Sequence, residues 1–432
     1  MRSRRSPSTT PSRAERTPSG AMASGITPHR VRLPVDLLEP GMRVVKLDRP
    51  WTEVPVLFQG FVLSSEREAR ILRQHCEWVL VEDEQDKLAS ALDAVAARKA
   101  RANEPLPEAR PLTAELPAAQ AAWTRTQSFV ERVVQDIEAG NDLNLAEARP
   151  ALQACVESIK ANPGAMFWIS RIKHRDAYTA EHCLRVAIFS IAFARFLGVP
   201  DEDLDIIGQC GLLHDLGKLR VPAHILNKPG ALSPDEYRVM REHTNLGHEL
   251  IRSDTSLDPI VADVTLHHHE RIDGHGYPQK LADWQISRFA RLVSIVDAFD
   301  AMTSDRCYRD GLPTAEAIRV LYRNRGQQFD AAMVEAFIRM IGLYPAGSLV
   351  ELNTGEVALV VATHPGRKLA PKVEVLMGPD KQPVTPHIVD LSAPASAGSP
   401  AREIAGGLPD GAHGMSLRDR IAQLTKDAGY NA

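Results

Sequence analysis

The chain has few cysteines, no net positive charge and no long apolar run, and each shortage excludes a class of protein. Its 432 residues include five cysteines, which are scattered and form no C-x-x-C pair. That pattern argues against a secreted disulfide framework and a thiolate zinc site, and it favours a reducing cytoplasm. No apolar run approaches about 18 residues, so we expect neither a membrane span nor a signal-peptide core. The formal net charge of −4 leaves no global positive field for binding DNA or RNA.

What is present is the composition of an ordinary folded protein, with 44% apolar and 25% charged residues in a chain long enough for two or three domains. Residues 1–27 are the exception, because they hold five arginines against one glutamate among Ser, Thr, Pro and Gly. Such a segment has too little apolar surface to offset the entropy of ordering, and we expect a disordered arm. It also resembles an organellar transit peptide, but the amphipathic apolar face of such a peptide is missing.

Residues 28–85 have the pattern of a small α+β domain. Short β-rich runs come first, an amphipathic helix follows from Ser65 to about His75, and "EWVLVE" is typical of a further strand. Residues 86–163 are expected to be a helical linker region: an Ala-rich stretch, the Pro-punctuated "ANEPLPEARPLTAELP", and a helical segment from about 119 to 161 interrupted near "GNDLN". Its amphipathic helices would permit a homodimer.

The rest of the chain divides into a helical part and a β part. Residues 164–345 are dominated by apolar residues at helical spacing, as in "LRVAIFSIAFARFLG", which predicts an all-helical domain. Residues 346–392 alternate like strands, with "NTG" at 353–355 as a hairpin turn. A flexible tail rich in Ala, Pro, Gly and Ser is expected over 393–432. The fold class is therefore mainly α, with a small α+β domain before the helical domain and a short β appendage after it.

Histidines are concentrated in the helical part: ten of the fifteen fall between His174 and His275. Consecutive imidazoles, as in "HHHE" at 267–270, are poor filling for a core. The segment "LLHDLG" places an adjacent His and Asp in an apolar helix, where an unpaired charge would be strongly unfavourable. Other members of the set are single polar groups on apolar helices or lie between the clusters. We expect metal binding by His182, His214, Asp215, His243, His268, His269 and Asp297.

The size of this set favours two metal ions. About five imidazoles and two carboxylates exceed what one ion accepts, whereas a carboxylate such as Asp215 can bridge two. Nitrogen and oxygen donors without a thiolate suit Fe, Mn, Zn or Ni, and we take Fe or Mn as the first choice. A metal pair is a recurring device for hydrolysing phosphodiesters. His267 could replace one of its neighbours, whereas His174, His224 and His248 are interpreted as structural or surface residues.

Lys218 lies one turn beyond His214 if the helix continues, which would place an ammonium group near the metal site. There it could stabilise charge on the phosphate or protonate the leaving oxygen. The alternative is a solvated lysine at a helix end, and the adjacent His-Asp pair favours the functional interpretation.

Five segments together resemble a known family in order and spacing: "DAYTAEHCLRV", "GLLHDLGKLRVP", "ILNKPGALSPDEYRVMREHTNLG", "HHERIDGHGYP" and "VDAFDAMTSDRCYR". They are similar to the HD-GYP domain, a bacterial branch of the HD metal-dependent phosphohydrolases, and the match covers roughly residues 165–345. The segment at 29–83 also looks like a small domain of uncharacterised function that is often found ahead of HD-GYP domains.

The resemblance implies an all-helical enzyme that hydrolyses cyclic di-GMP to pGpG, and in some members onward to GMP. It implies the same seven metal ligands, with Asp215 as the bridge, and places Lys218 at the scissile phosphate. The GYP signature is Gly276-Tyr277-Pro278, with Tyr277 facing substrate. Arg306 and Arg309 match basic positions that contact the cyclic dinucleotide. Arginine can contact phosphate or a guanine edge bidentately, and an aromatic ring can stack on a base.

This sequence departs from the family at two positions. His275 stands where serine is usual in the GYP loop. Tyr178 stands where some members carry a glutamate and hold a third metal ion, so two metals are favoured here.

Three functions remain to be compared. The first is an active cyclic di-GMP phosphodiesterase. The second is a regulator that binds cyclic di-GMP, or a partner such as a diguanylate cyclase domain, without turnover; filled ligand positions count against it. The third is an HD hydrolase acting on ppGpp or a nucleoside triphosphate, which leaves the GYP loop and the arginines after it without a role.

Overall fold

The computed structural model describes most of the chain in separate stretches: residues 29–51, 54–55, 60–83, 109–141, 143–171, 178–304, 311–362, 369–393, 401–409, 411–415, 419–420 and 423. Several expectations lie outside these residues: the arm at 1–27, the Ala-rich helix near 86–102, His174, Arg306 and Arg309.

The N-terminal unit is a small antiparallel sheet with one helix. Its strands are β1 (His29–Pro34), β2 (Arg43–Leu47), β3 (Phe61–Val62) and β4 (Trp78–Asp83), in the order β1-β4-β2-β3. Helix α1 (Glu66–His75) begins at Ser65, whose side chain accepts a hydrogen bond from the Glu68 backbone N–H. This confirms the predicted α+β character, including the helix from Ser65 to about His75 and the strand in "EWVLVE".

Helices make up the body of the molecule, which confirms the mainly α fold class. The described helices that follow α1 are α2 (Leu112–Ala139), α3 (Ala148–Ala161), α4 (Pro163–Ser170), α5 (Tyr178–Leu197), α6 (Leu204–Leu213), α7 (Ala223–Leu226), α8 (Pro234–Arg241), α9 (His243–Arg252), α10 (Pro259–His267), α11 (Arg288–Thr303), α12 (Thr314–Asn324) and α13 (Ala331–Ile341). None of the described helices has the length and apolar character needed to cross a membrane.

Helices α2 and α3 belong to this body, which differs from the expected linker region at 86–163. Trp123 and Phe129 of α2 and Leu152 of α3 are buried in the same core as α5, α6 and α11. The chain turns between the two helices at Gly140, in the expected "GNDLN" segment, where a φ of 71° suits glycine. The apolar stripe that would have permitted a homodimer is thus used within the chain.

A second antiparallel sheet follows the helices. It contains β5 (Leu349–Leu352), β6 (Val357–Ala362), β7 (Lys372–Met377), β8 (Pro383–Asp390) and β9 (Ile404–Leu408), in the order β8-β7-β6-β5-β9. The β appendage and its turn at 353–355 are as predicted. Strand β9 corrects the expectation of a flexible tail over 393–432, because Leu408 pairs with Leu349 of β5. Pairing with a buried strand orders a segment whose glycines weaken the strand pattern in the sequence.

Two buried ion pairs and a hydrogen bond to a backbone carbonyl join the N-terminal unit to the helical body. Arg288 at the start of α11 donates from both Nη atoms to Asp36, at 2.6 and 2.9 Å. Arg73 Nε of α1 donates to Asp203 Oδ2 at 2.9 Å, just before α6. Arg49 Nη1 donates to the Trp284 carbonyl at 2.7 Å. The N-terminal unit therefore touches the first turn of α11, a helix that also supplies a residue of the site described next.

Candidate metal centre

The structure brings together all seven side chains predicted to bind metal. His182 lies in the second turn of α5, His214 and Asp215 follow the end of α6, and His243 begins α9. His268 and His269 follow α10, and Asp297 lies in the middle of α11. Six of the seven are buried, and the His269 side chain keeps 26% of its surface exposed. Three helix ends and the sides of α5 and α11 thus converge on one point, so residues far apart in sequence meet there.

The two carboxylate oxygens of Asp215 face different pairs of imidazoles. Oδ1 lies 3.4 Å from His243 Nε2 and 3.7 Å from His268 Nε2. Oδ2 lies 3.5 Å from His182 Nε2 and 3.3 Å from His214 Nε2. Donor atoms of Asp215, His243, His268 and His269 lie within 4.8 Å of one another, and those of His182, His214 and Asp215 form a second such group. This is the geometry of a bridging carboxylate between two cation positions.

Backbone hydrogen bonds orient three of the imidazoles. Nδ1 of His214 donates to the Gly211 carbonyl at 2.8 Å, and the corresponding bonds of His243 to Met240 and of His268 to Thr265 are 2.8 and 2.9 Å. Each accepting carbonyl lies three residues earlier, at a helix end where carbonyls lack a helical partner. With the proton on Nδ1, each Nε2 presents a lone pair to the centre.

When the imidazoles are neutral, these lone pairs face one another with no donor between them. His243 Nε2 and His268 Nε2 are 3.4 Å apart. Among the described residues, His214 Nε2 and Asp215 Oδ1 are buried without a hydrogen-bond partner. Buried acceptors that face one another need a cation, and imidazole nitrogens with carboxylate oxygens suit divalent transition metals. The residues present therefore fit a divalent metal centre.

Asp300, which the sequence analysis missed, holds His182 in place. His182 Nδ1 donates to Asp300 Oδ2 at 2.7 Å, and Arg185 Nε donates to Asp300 Oδ1 at 2.7 Å. The Ser304 hydroxyl also donates to Asp300, at 3.1 Å. The signal was available, because Asp300 lies one helical turn after Asp297 on the same apolar helix.

Burial opposes charge throughout the centre, but not equally. Burial alone would raise the pKa of Asp215, yet Lys218 and His214 hold that pKa well below its usual value. Burial lowers the pKa of His269 to about 3 and that of His268 well below its usual value. For His214, Asp215 outweighs burial and raises the pKa to about 9. The buried, ionised carboxylates of the centre thus require positive charge nearby. Protons supply that charge in metal-free protein, and a bound cation would take the place of those protons.

Lys218 reaches the centre by a different route from the expected one. The α-helix ends at Leu213, and Lys218 lies in a 3-10 turn over Leu216–Arg220. Its Nζ is 2.5 Å from Asp215 Oδ2. Gly217 allows this turn to pack against α9, because a Cβ there would lie 1.9 Å from the His243 carbonyl oxygen. The predicted ammonium group near the metal site is therefore present.

The GYP loop lies against the centre through Tyr277. The Tyr277 ring centroid is 4.8 Å from that of His269, and the Arg241 guanidinium lies 4.3 Å from the Tyr277 centroid. His275, the unusual residue of the loop, is 81% exposed in its side chain. Its Nδ1 bonds to the Asp273 carbonyl within its own loop, at 2.9 Å, so it does not contact the centre.

Three other histidines in the described part of the helical body lie outside the centre. His267 Nδ1 pairs with Asp263 at 2.9 Å instead of replacing a neighbour, and His248 Nδ1 bonds to the Ala262 carbonyl at 3.1 Å. His224 is exposed.

The centre opens into a cleft of about 1800 Å³. Its walls include Lys218 and Tyr277 near the centre and Tyr237 of α8 on one side. Part of α2 and the end of β9 also border the cleft. A ligand in the cleft therefore has access to the centre from solvent.

Comparison with family models defines the class of protein. A model described as HD domain matches residues 171–333, which include all seven side chains of the centre. A domain of unknown function (DUF3391) matches residues 30–148, and a KOW domain associated with HD domain matches residues 349–397. The part of the helical body at residues 171–333, which carries the His/Asp centre, is an HD domain.

Individual relatives narrow the class to a family. Cyclic di-GMP phosphodiesterase PA4108 of Pseudomonas aeruginosa is 36% identical over 368 residues, 83% of this chain and 88% of the relative. The 3'3'-cGAMP-specific phosphodiesterase 2 of Vibrio cholerae is 32% identical over 168 residues, 39% of this chain and 32% of that protein. Among solved structures, Bd1817, a HDG"Y"P protein from Bdellovibrio bacteriovorus, aligns with a TM-score of 0.43 and 20% identity, over 72% of this chain and 98% of that chain. The chain belongs to the HD-GYP family of cyclic di-GMP phosphodiesterases.

Proposed function

We propose that this chain is a phosphodiesterase that hydrolyses cyclic di-GMP to pGpG with two bound divalent cations. The observation that carries the proposal is the position of the Asp215 carboxylate. Its two oxygens face two separate pairs of imidazoles. The similarity to the Pseudomonas aeruginosa phosphodiesterase along 88% of that protein supports the choice of substrate. A cytoplasmic location is part of the proposal, because it suits the free, buried cysteines among the described residues.

The two proposed ligand sets share Asp215. One set is Asp215 Oδ1 with His243, His268 and His269, and the other is Asp215 Oδ2 with His182, His214 and Asp297. Fe or Mn is the proposed metal, because the donors are nitrogen and oxygen without a thiolate. When bound, two such cations lower the pKa of a water towards neutrality and neutralise charge on phosphoryl oxygens.

Residues at the cleft wall complete the proposed mechanism. Lys218 is proposed to hold a non-bridging oxygen of the scissile phosphate and to protonate the leaving ribose oxygen, since its Nζ already faces the centre. Tyr277 would pack against His269 at the substrate end of the centre. Arg306 and Arg309 stay proposed contacts to the cyclic dinucleotide, although they lie outside the described residues.

Binding without turnover is the competing function. A regulator of this kind would bind cyclic di-GMP or a diguanylate cyclase domain. It has no need for a complete set of metal ligands, and here all seven ligand positions carry histidine or aspartate. A homodimer is compatible with either function.

The test is turnover by purified protein reconstituted anaerobically with Fe(II) or Mn(II). Cyclic di-GMP and 3'3'-cGAMP are supplied in parallel, and products are separated by liquid chromatography. We expect pGpG from cyclic di-GMP, and no product from a protein carrying both His214→Ala and Asp215→Ala. His387→Ala is a matched control, since it removes an exposed histidine of β8 that does not line the cleft.

Three results would revise the proposal. Retained binding without product under either metal would favour the regulator. Faster cleavage of 3'3'-cGAMP than of cyclic di-GMP would change the substrate. Full activity of the double variant would place the chemistry elsewhere.

A further inference from the structure

Helix α8 forms one wall of the cleft although it contributes nothing to the core. None of its residues is buried. Its position is nevertheless fixed: Ser233 and Glu236 form a capping box at its start, and Glu236 also pairs with Lys228 Nζ at 2.5 Å. The capping box and this ion pair therefore explain where the helix lies but not the identity of the residues that it presents to the cleft.

Tyr237 is the large ring that α8 presents. It lines the cleft and keeps 49% of its surface exposed. An aromatic ring with one face in solvent loses hydrophobic stabilisation in the free protein, and an aromatic face in a ligand cleft is suited to stacking on another flat group. The exposure of Tyr237, together with its place in the cleft wall, points to a ligand.

Tyr277, the residue expected to stack on a base, already has neighbours on its ring. His269 lies at 4.8 Å between centroids with an interplanar angle of 36°, and Arg241 lies 4.3 Å from the centroid. Because of these contacts, Tyr277 is suited to orienting His269. Of the two tyrosines, Tyr237 is the one whose ring is exposed.

Arg241 connects the two tyrosines. It lies four residues after Tyr237, on the same face of α8, and its guanidinium is 5.9 Å from the Tyr237 centroid. A guanidinium beside an aromatic face adds a positive charge and bidentate donors next to the position of a stacked base. Tyr237 and Tyr277 both line the cleft, and the Arg241 guanidinium lies near both of their rings.

We propose that Tyr237 is a base-stacking platform for one purine of the cyclic dinucleotide, with Arg241 beside it. This inference rests on the proposed function and adds a binding subsite to it. Because every base has a flat face, the platform would contribute affinity for a purine, while other contacts would distinguish guanine from adenine.

The test compares Tyr237→Ala with a matched tyrosine. Tyr322 of α12 is also exposed, at 46%, and carries Arg325 at 3.5 Å from its centroid, but it does not line the cleft. In metal-loaded full-length protein we expect Tyr237→Ala to raise the KM for cyclic di-GMP about 5- to 160-fold, the range for removal of one stacked base, with kcat nearly unchanged. Tyr322→Ala should not change either constant.

Two further measurements separate stacking from a structural role. Tyr237→Phe and Tyr237→Trp retain a flat ring and should restore the KM that Tyr237→Ala loses. Turnover of bis(p-nitrophenyl) phosphate, a small diester without a purine, and metal content by mass spectrometry should be the same in Tyr237→Ala as in the unaltered protein. Equal losses in these two controls would overturn the inference in favour of a structural role.

A binding assay keeps this inference distinct from the proposed function. A cyclic dinucleotide with 2-aminopurine in place of one guanine is mixed rapidly with the protein, and stacking is followed as fluorescence quenching before turnover. Quenching that is lost in Tyr237→Ala supports the platform even if no hydrolysis follows. Hydrolysis with an unchanged KM in Tyr237→Ala would overturn the platform and leave the phosphodiesterase standing. If the unaltered protein neither binds nor hydrolyses the dinucleotide, both the platform and the proposed function are overturned.

Discussion

Asp300 determines which nitrogen of His182 faces the centre. The carboxylate accepts from Nδ1 at 2.7 Å, so the lone pair of Nε2 faces Asp215 and Asp297. Arg185 keeps that carboxylate ionised: burial would raise the pKa of Asp300, but Arg185 lowers it to about 2. A neighbour of a metal ligand thus controls the ligand's tautomer.

We predict that Asp300→Asn weakens one metal position. An amide can donate to Nδ1, which would move the His182 proton to Nε2 and remove its lone pair from the centre. Metal content, measured by mass spectrometry, should fall from about two to about one ion per chain, with a loss of activity of about 10- to 100-fold. Asp263→Asn is the control, because it alters the same kind of pair at His267. Two ions in Asp300→Asn would contradict the prediction.

The pKa of His214 predicts how metal-free protein responds to pH. Its value is raised to about 9 from an ordinary 6.5, so the stabilisation from its protonated form is complete below 6.5 and is lost as pH rises through 9. Metal-free protein should therefore show a Tm that falls between pH 7 and pH 9.5. Added Mn(II) should reduce that dependence, since the cation takes the place of the proton. A Tm that rises with pH in metal-free protein would refute this.

At the residue scale, the sequence was sufficient for the seven side chains of the centre. Most of them stand out as polar groups on an apolar stretch or in a run of histidines, and His243 was predicted from its place between those clusters. The sequence did not predict that the Tyr277 ring packs against His269. That packing depends on Arg241, which lies 36 positions earlier and contacts the same ring. Side-chain contacts of this kind have no periodicity from which they could be predicted.

At the scale of elements, the turn that carries Lys218 depends on its contact with α9. We predict that Gly217→Ala destabilises the protein by about 2 kcal/mol or more, because the added Cβ would meet the His243 carbonyl and lie 2.4 Å from the Gly247 nitrogen. Urea unfolding with metal present measures the change. Gly406→Ala in β9 is the matched control, since no atom lies within 4 Å of its added Cβ. Equal stability of the two variants would show that the turn can move away from α9.

The elements themselves were largely predictable, and the exceptions have a physical cause. Helix α1, the interruption between α2 and α3, and the turn at 353–355 follow from local capping, glycine and alternation. Strand β9 was not predicted, because "IAGGL" has little side chain to pack and is held by pairing with β5. The turn after Leu213 was not predicted either, since packing against α9 ends a helix that the sequence would allow to continue.

At the scale of the whole molecule, we predict that the N-terminal unit is energetically coupled to the helical body. Asp36 and Arg288 form a bidentate pair whose side chains are almost fully buried. Removing one partner leaves a buried charge, so Asp36→Ala and Arg288→Ala should each cost about 3 kcal/mol, and the double variant should cost clearly less than their sum. The measurement is a double-mutant cycle by urea unfolding.

The exposed pair Arg30–Glu82 is the comparison within the same unit. The Arg30 side chain is 62% exposed, so its removal should cost less than about 1 kcal/mol. Additive effects at Asp36 and Arg288 would mean that the two units are stabilised independently. The sequence could not reveal this pair, because its partners are 252 positions apart.

The burial of α2 and α3 in the helical core defines the smallest piece of the chain that should fold by itself. A fragment that starts at residue 164 would leave the inner surface of α5 and α6 in water, where it would favour aggregation. Expression of the enzyme without its N-terminal unit should therefore begin ahead of Leu112, so that Trp123 and Leu152 are retained.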